Sequence, residues 1–166
     1  MKKTGQFLFE TELKWIKDRK GSLSSRAITD PITVASPDIL KTKKEGMWSP
    51  EHLLISAVSS SFMTTFLFYA KQAGLIVSAF DCEAIGLVEL NNGKLIFTTI
   101  NVYPKVGVEK KEWTEKATEV IELTKQNCLI PRALSVIIYY HPTIEIITHS
   151  SLKKKQTINK KREVYF

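Results

Sequence analysis

Cysteine is scarce in this chain. Cys82 and Cys128 are the only two in 166 residues, far short of the framework that staples a small secreted domain. A reducing cytoplasm is therefore the expected compartment. Glycine is sparse too. The seven glycines are spread singly, with no run that could cradle a phosphate or a dinucleotide. The histidines, His52, His141 and His149, are scattered, and neither cysteine has a second cysteine or a histidine at ligand spacing. With no CxxC and no HExxH, neither a metal nor a cofactor is expected. No serine stands in a GxSxG elbow, so a hydrolase triad has no support. The N-terminus, Met1-Lys2-Lys3-Thr4-Gly5, leads into an alternating segment without an apolar core region, so no signal peptide is expected.

What is present is ordinary in bulk: 43% hydrophobic residues and 25% charged ones, the values of a globular domain. The net charge of +7 suggests a polyanion partner until it is located. Residues 151–166 hold six Lys/Arg against the single acid Glu163, which is five of those seven charges. The expected organisation is one α+β domain over residues 1–150 and a solvated basic tail over 151–166. Nucleic acid is not expected as a partner.

The most informative stretch is His52 to Ala70, nineteen residues without a formal charge between Glu51 and Lys71. Ser49 suits an N-cap, Pro50 the first helical position, and Glu51 a first turn where the helix dipole favours an anion. Gly74 suits the stop. The length is close to the ~20 residues a membrane span needs. Ser56, Ser59, Ser60, Ser61, Thr64 and Thr65 dilute it, and amphipathic elements flank it, so a buried helix of a soluble protein is expected rather than a membrane segment. A helix apolar on all sides needs cover on all sides, and the rest of this chain is too small to supply it. A second copy packed about a twofold axis would; the alternative is a monomer whose sheet curls around the helix.

Around that helix the pattern predicts strands over residues 6–16, 22–28 and 32–35, with Asp30-Pro31 a break and residues 38–46 a polar loop. Strands follow over 80–90 and 94–103, joined by the hairpin signal Asn91-Asn92-Gly93 and closed by Pro104. A second, amphipathic helix is expected over 110–127, its stripe formed by Trp113, Ala117, Val120, Ile121 and Thr124. A short turn at Pro131 and strands over 135–140 and 143–148 complete an α+β order with segregated antiparallel strands.

Four polar residues punctuate these apolar elements: Arg19 in the first turn, Glu51 at the start of the central helix, Ser61 at its middle, and Cys128 at the end of the second helix. Singly, each has a plainer reading as a solvated turn residue, a dipole partner, a packing residue and a buried thiol. Together with their surroundings they resemble a family. The run Trp48-Ser49-Pro50-Glu51-His52-Leu53-Leu54, followed by Ser56-Ala57, is similar to the N/S-P-E-x-L-x-x-x-A signature of the OsmC/Ohr thiol peroxidases. Cys128-Leu129-Ile130-Pro131-Arg132-Ala133-Leu134 is similar to that family's C-P/L-[VI]-x-x-[AS]-L segment. Trp15 to Gly21 and Val34 to Pro37 fit its OsmC-like branch, and the resemblance runs in order from about residue 6 to 148.

That resemblance implies antiparallel sheets around a long central helix plus an amphipathic second helix, in an intertwined homodimer with two interface sites. It implies peroxide-stress chemistry. A peroxidatic cysteine on the central helix attacks a hydroperoxide, an arginine lowers its pKa, a glutamate holds the arginine, and a resolving cysteine closes a disulfide. A lipoyl-bearing protein or small thiol then serves as reductant. On this chain the arginine matches Arg19, the glutamate Glu51 and the resolving cysteine Cys128. The peroxidatic position falls on Ser61, with Ser60 one residue, or about 100° of helix, away. A serine hydroxyl forms no thiolate and cannot become a sulfenic acid, although it still donates and accepts hydrogen bonds. Glu51 and Ser61 lie ~15 Å apart along one helix, so a site using both requires two copies.

Three readings follow. The first is a dimer that has lost the two-cysteine cycle but keeps an interface pocket for a small apolar, lipid-like molecule with a polar or anionic head, such as a hydroperoxide. The second is a hydroperoxide reductase using Cys128 as its sole reactive thiol, with Cys82 a weaker candidate. The third is a non-enzymatic interaction protein acting through the basic tail.

Overall fold

Strands β1 (Glu12–Lys17), β2 (Lys20–Ser25) and β3 (Ile28–Ala35) form an antiparallel three-stranded sheet in that order. The computed structural model describes residues 5–36 and 46–147. The expected loop up to residue 45, the strand end at Thr148, His149 and the basic tail lie outside those residues. The chain divides into two compact units, Met1–Leu54 and Ile55–Phe166.

The first unit departs from the sequence pattern in two places. Residues 5–11 join no strand, because β2 is long enough to pair only with Glu12 to Lys17. Every residue of β1 is exposed, Trp15 at 75%, so the alternation that predicts a half-buried strand has nothing to bury against within this unit. Nor does Asp30-Pro31 break the third strand. β3 lies at the sheet edge, where a proline lacking an N–H is tolerated, and the register slips opposite it, between Leu23 and Ser25. The β1–β2 turn is Asp18-Arg19, with Asp18 at φ 50° and the Trp15 indole donating to the Asp18 carbonyl at 3.0 Å. Ala35 N–H donates to the Trp48 carbonyl at 2.8 Å, which ties the end of β3 to the entry of the next helix.

That helix, α1 (Pro50–Gln72), starts as its signals require. The Ser49 hydroxyl accepts from the His52 N–H at 3.3 Å and meets His52 Nδ1 at 2.8 Å. It stops before Gly74, whose φ of 63° is the left-handed conformation glycine adopts without strain. Lys116 Nζ donates to the Ala73 carbonyl at 3.1 Å, occupying a free acceptor just past the helix end. By length and composition α1 is the one described helix that could cross a membrane. In this fold a single stripe, Val58, Phe62, Phe66 and Ala70, is buried, while Met63, Leu67 and Phe68 are exposed. The all-round burial expected from composition is therefore absent within one chain.

In the second unit, β4 (Ala79–Asn91) and β5 (Lys94–Val108) form the Asn92-Gly93 hairpin. Both turn residues have positive φ, 50° and 77°, as a two-residue hairpin of this kind demands. β5 does not end at Pro104. On its other side it pairs in parallel with β6 (Ile137–Tyr140) over Thr99–Val102 and with β7 (Thr143–Ile146) over Lys105–Val108. Pro104 falls in the gap between those two partners, where no ladder bond is needed, and Pro142 makes the matching break between β6 and β7. The sheet is thus mixed rather than antiparallel throughout. Helix α2 (Trp113–Asn127) begins three residues later than expected and is followed by the short α3 (Leu129–Arg132), which starts before Pro131 rather than at it.

The core of this unit is the α1 stripe, the inner face of β5 (Ile100, Val102, Val106, Val108) and the α2 stripe (Ala117, Val120, Ile121). Gly86 on β4 permits the close approach of α1, since a Cβ there would sit 2.7 Å from Ile55 Cδ1 and 2.9 Å from Phe97 Cε1. Phe62 anchors the centre, with ring centroids 6.5 Å from Phe66, 6.4 Å from Phe80 and 5.4 Å from Tyr140.

Candidate functional site

Cys128 occupies the one residue between α2 and α3, where ψ swings to 127° and the backbone leaves the helix. Its N–H still donates to the Thr124 carbonyl at 3.0 Å. That reversal turns the side chain into the core, and Cys128 is fully buried. The thiol donates to the Ser61 carbonyl of α1 at 3.7 Å, and the hydroxyls of Thr65 and Ser61 lie against the sulfur. Burial pushes the thiol pKa up, and the two hydroxyls pull it partly back. Nothing charged takes part in that balance. Ser61 and Cys128, 67 residues apart in the chain, therefore meet within the second unit.

The serine run around Ser61 divides by helical phase. Ser59 donates to the Ser56 carbonyl at 3.1 Å and Ser60 to the same carbonyl at 2.7 Å. Thr64 donates back to the carbonyl of Ser60 at 3.1 Å. These hydroxyls are absorbed by the helix backbone. Ser61 and Thr65, one turn apart, are the two that face the thiol. Sequence reasoning passed over Thr65, although its i+4 spacing from Ser61 places both on one face. It also passed over Tyr140, for which no local signal exists: only the parallel pairing of β6 with β5 brings that residue to the core.

Arg19 and Glu51 belong to the first unit, and they do not pair with each other there. The Arg19 guanidinium donates to the Ser36 hydroxyl, and the Arg19 carbonyl accepts from the Ser36 N–H at 3.3 Å. Glu51 begins α1 as expected, but its Oε2 is buried without a hydrogen-bond partner among the described residues. A carboxylate oxygen removed from water in this way is costly unless a donor reaches it.

Cys82 sits on the inward face of β4, opposite Pro104. Desolvation there pushes its pKa up to about 11, so it is a packing thiol, poor in thiolate near neutral pH. Both cysteines are free. His52 belongs to the α1 cap, and His141 meets the Asn101 side chain at 3.0 Å and stacks on Tyr103 at 4.7 Å between centroids. Among the described residues, no three His, Cys, Asp or Glu side chains gather where a metal ion could be held.

The family model described as OsmC-like protein matches residues 42–139. Among solved structures, the fold is similar to that of an OsmC-like protein from Vibrio cholerae (19% identity, 83% of this chain and 100% of that one, TM-score 0.74). It is also similar to an OsmC-like protein from Mycoplasma pneumoniae (13% identity, 87% and 100%, TM-score 0.69). An organic hydroperoxide resistance protein from Elizabethkingia anophelis matches at 17% identity over 87% of this chain and 99% of its own, with a TM-score of 0.68. No curated protein matches the chain in sequence.

Proposed function

Because the chain belongs to the OsmC-like family, whose members are linked to the response to peroxide and osmotic stress, we propose that it is a dimeric ligand-binding member without the two-cysteine peroxidase cycle. Its site takes a small apolar molecule with a polar head. The observation that carries this reading is the meeting of Ser61 with the Cys128 thiol, 3.7 Å from the Ser61 carbonyl. In a two-cysteine cycle these would be the disulfide partners. Here one of them is an oxygen, which cannot be oxidised to a sulfenic acid and cannot leave as part of a disulfide.

Cys128 does not replace the missing sulfur in this reading. It is fully buried, its thiol is neutral for the reason given above, and it donates its proton to a carbonyl. Those features suit a structural thiol rather than a nucleophile, which needs thiolate character and access. The two free thiols fit a reducing cytoplasm.

What one chain leaves uncovered supports the dimer. Met63, Leu67 and Phe68 are exposed on α1, as are Leu13, Trp15 and Ile28 on the first sheet. A second copy would cover them, and Arg19 of one copy would supply the donor that Glu51 of the other lacks. Titration of the purified protein with medium-chain alcohols, acids and hydroperoxides is expected to give saturable binding without peroxide consumption. Absence of saturable binding, or rapid turnover by the unaltered protein with dithiothreitol, would overturn the reading.

A further inference from the structure

One face of the second unit's sheet packs on the helices, with Ile100, Val102, Val106 and Val108 of β5 pointing into the core. The alternate positions point the other way. There the register lays Leu87, Thr99 and Ile137 side by side, with Ile85, Asn101 and Tyr139 in the next row. Ile85, Leu87, Ile137 and Tyr139 are all exposed. Tyr103 continues this outer face, exposed and stacked on His141. Toward the end of β7 the same face turns acidic. Among the described residues of these strands, Asp81, Glu83 and Glu145 stand there with one lysine, Lys105, which Glu145 holds at 2.6 Å.

The chain leaves β7 on this side. The Ile147 side chain lies over Gly107, in the place a Cβ would take, so the last described residue sits on the outer face. Residues 148–166 follow, and they carry five of the chain's seven net positive charges. Their basic clusters, residues 153–155 and 160–162, come before the apolar run Val164-Tyr165-Phe166. The sheet has the matching order: carboxylates nearest Ile147, then the aromatic and aliphatic rows. The farthest row, at Thr99, lies ~30 Å along β5 from Val108, and a segment of this length can span ~60 Å.

We propose that residues 148–166 dock along the outer face of their own chain's sheet. The basic clusters lie over the acidic end, and the apolar run covers Ile85, Leu87, Ile137 and Tyr139. Charge selects this occupant, since an acidic face repels a polyanion and attracts a segment with an excess of lysine and arginine. Attachment to β7 makes the docking intramolecular, so modest contacts suffice. This contact stands apart from the ligand site beside Ser61 and Cys128.

The test is photo-cross-linking of the full-length protein with p-benzoylphenylalanine in place of Phe166, the joined peptides being mapped by mass spectrometry. The expected product runs at single-chain mass on a denaturing gel and links residue 166 to β4, β5 or β6. Adding Leu87→Ser with Ile137→Ser, which removes only exposed side chains, is expected to lose most of that yield. Glu83→Lys is expected to do the same. Raising salt from about 0.1 M to about 1 M shortens screening from ~10 Å to ~3 Å and is expected to lower the yield of the unaltered sheet, a readout that does not depend on any sheet variant folding. Cross-links that join two chains would make a second copy the occupant and overturn the proposal. So would an absence of cross-links to these strands, or a yield indifferent to the substitutions and to salt.

Discussion

At the scale of single residues, the chemistry turns on which polar atoms face each other in the dark of the second unit. The Cys128 thiol has a carbonyl and two hydroxyls for company. Ser61→Cys restores sulfur at a position already against that thiol. Mild oxidation is expected to join the two sulfurs, read as loss of reactive thiols and recovery with dithiothreitol, and peroxide consumption is expected to appear with it. If the thiols pair but no consumption follows, the site lacks more than the sulfur. Cys82 and Tyr140 give a pH signature. Their pKa values in the folded state are pushed up to about 11 and about 12 from ordinary values of 9.0 and 10.0. Between pH 9.0 and about 12 the unfolded chain therefore releases these protons first and binds fewer of them than the folded one, so stability falls as pH rises. Urea unfolding at stepped alkaline pH should show the midpoint declining through that window. Cys82→Ala should shrink the earlier part of the decline without abolishing it, because burial also pushes the Cys128 thiol up from 9.0.

At the scale of elements, α1 is shaped by where its side chains find partners. Ser59, Ser60 and Thr64 satisfy their hydroxyls on the preceding turn, so a long apolar helix carries these hydroxyls at little cost. Its start depends on Ser49, buried and bonded to both the backbone and the ring of His52. Ser49→Ala is expected to destabilise the protein by about 1 kcal/mol, measured by chemical unfolding, with ligand affinity unchanged. β5 shows the reverse dependence, on context rather than on local signals. Its Pro104 reads as a strand end in the sequence, yet the strand continues because β6 and β7 divide its open edge between them.

At the scale of the whole molecule, each of the two units exposes large aromatic and aliphatic side chains. Phe68 is 57% exposed on α1 and Trp15 75% exposed on β1. Sedimentation equilibrium is expected to return twice the 18.9 kDa chain mass, unchanged when residues 151–166 are deleted. A species of single-chain mass at micromolar concentration would remove the second copy from the argument, and with it the partner proposed for Glu51.

Much of this was already set by local chemistry in the sequence. The N-cap and stop of α1, the Asn92-Gly93 hairpin and the apolar stripe of α2 are written in residues within a few positions of one another, because caps, positive φ and helical periodicity are short-range effects. Ser61 and Cys128 are site candidates through the family resemblance of the motifs around them, not through local chemistry. Other features required the fold. That Ser61 rather than Ser60 meets the thiol, that Thr65 and Tyr140 share its surroundings, and that β6 and β7 run parallel to β5 depend on contacts between residues tens of positions apart. Such contacts are selected by packing in three dimensions, and no window along the chain contains them.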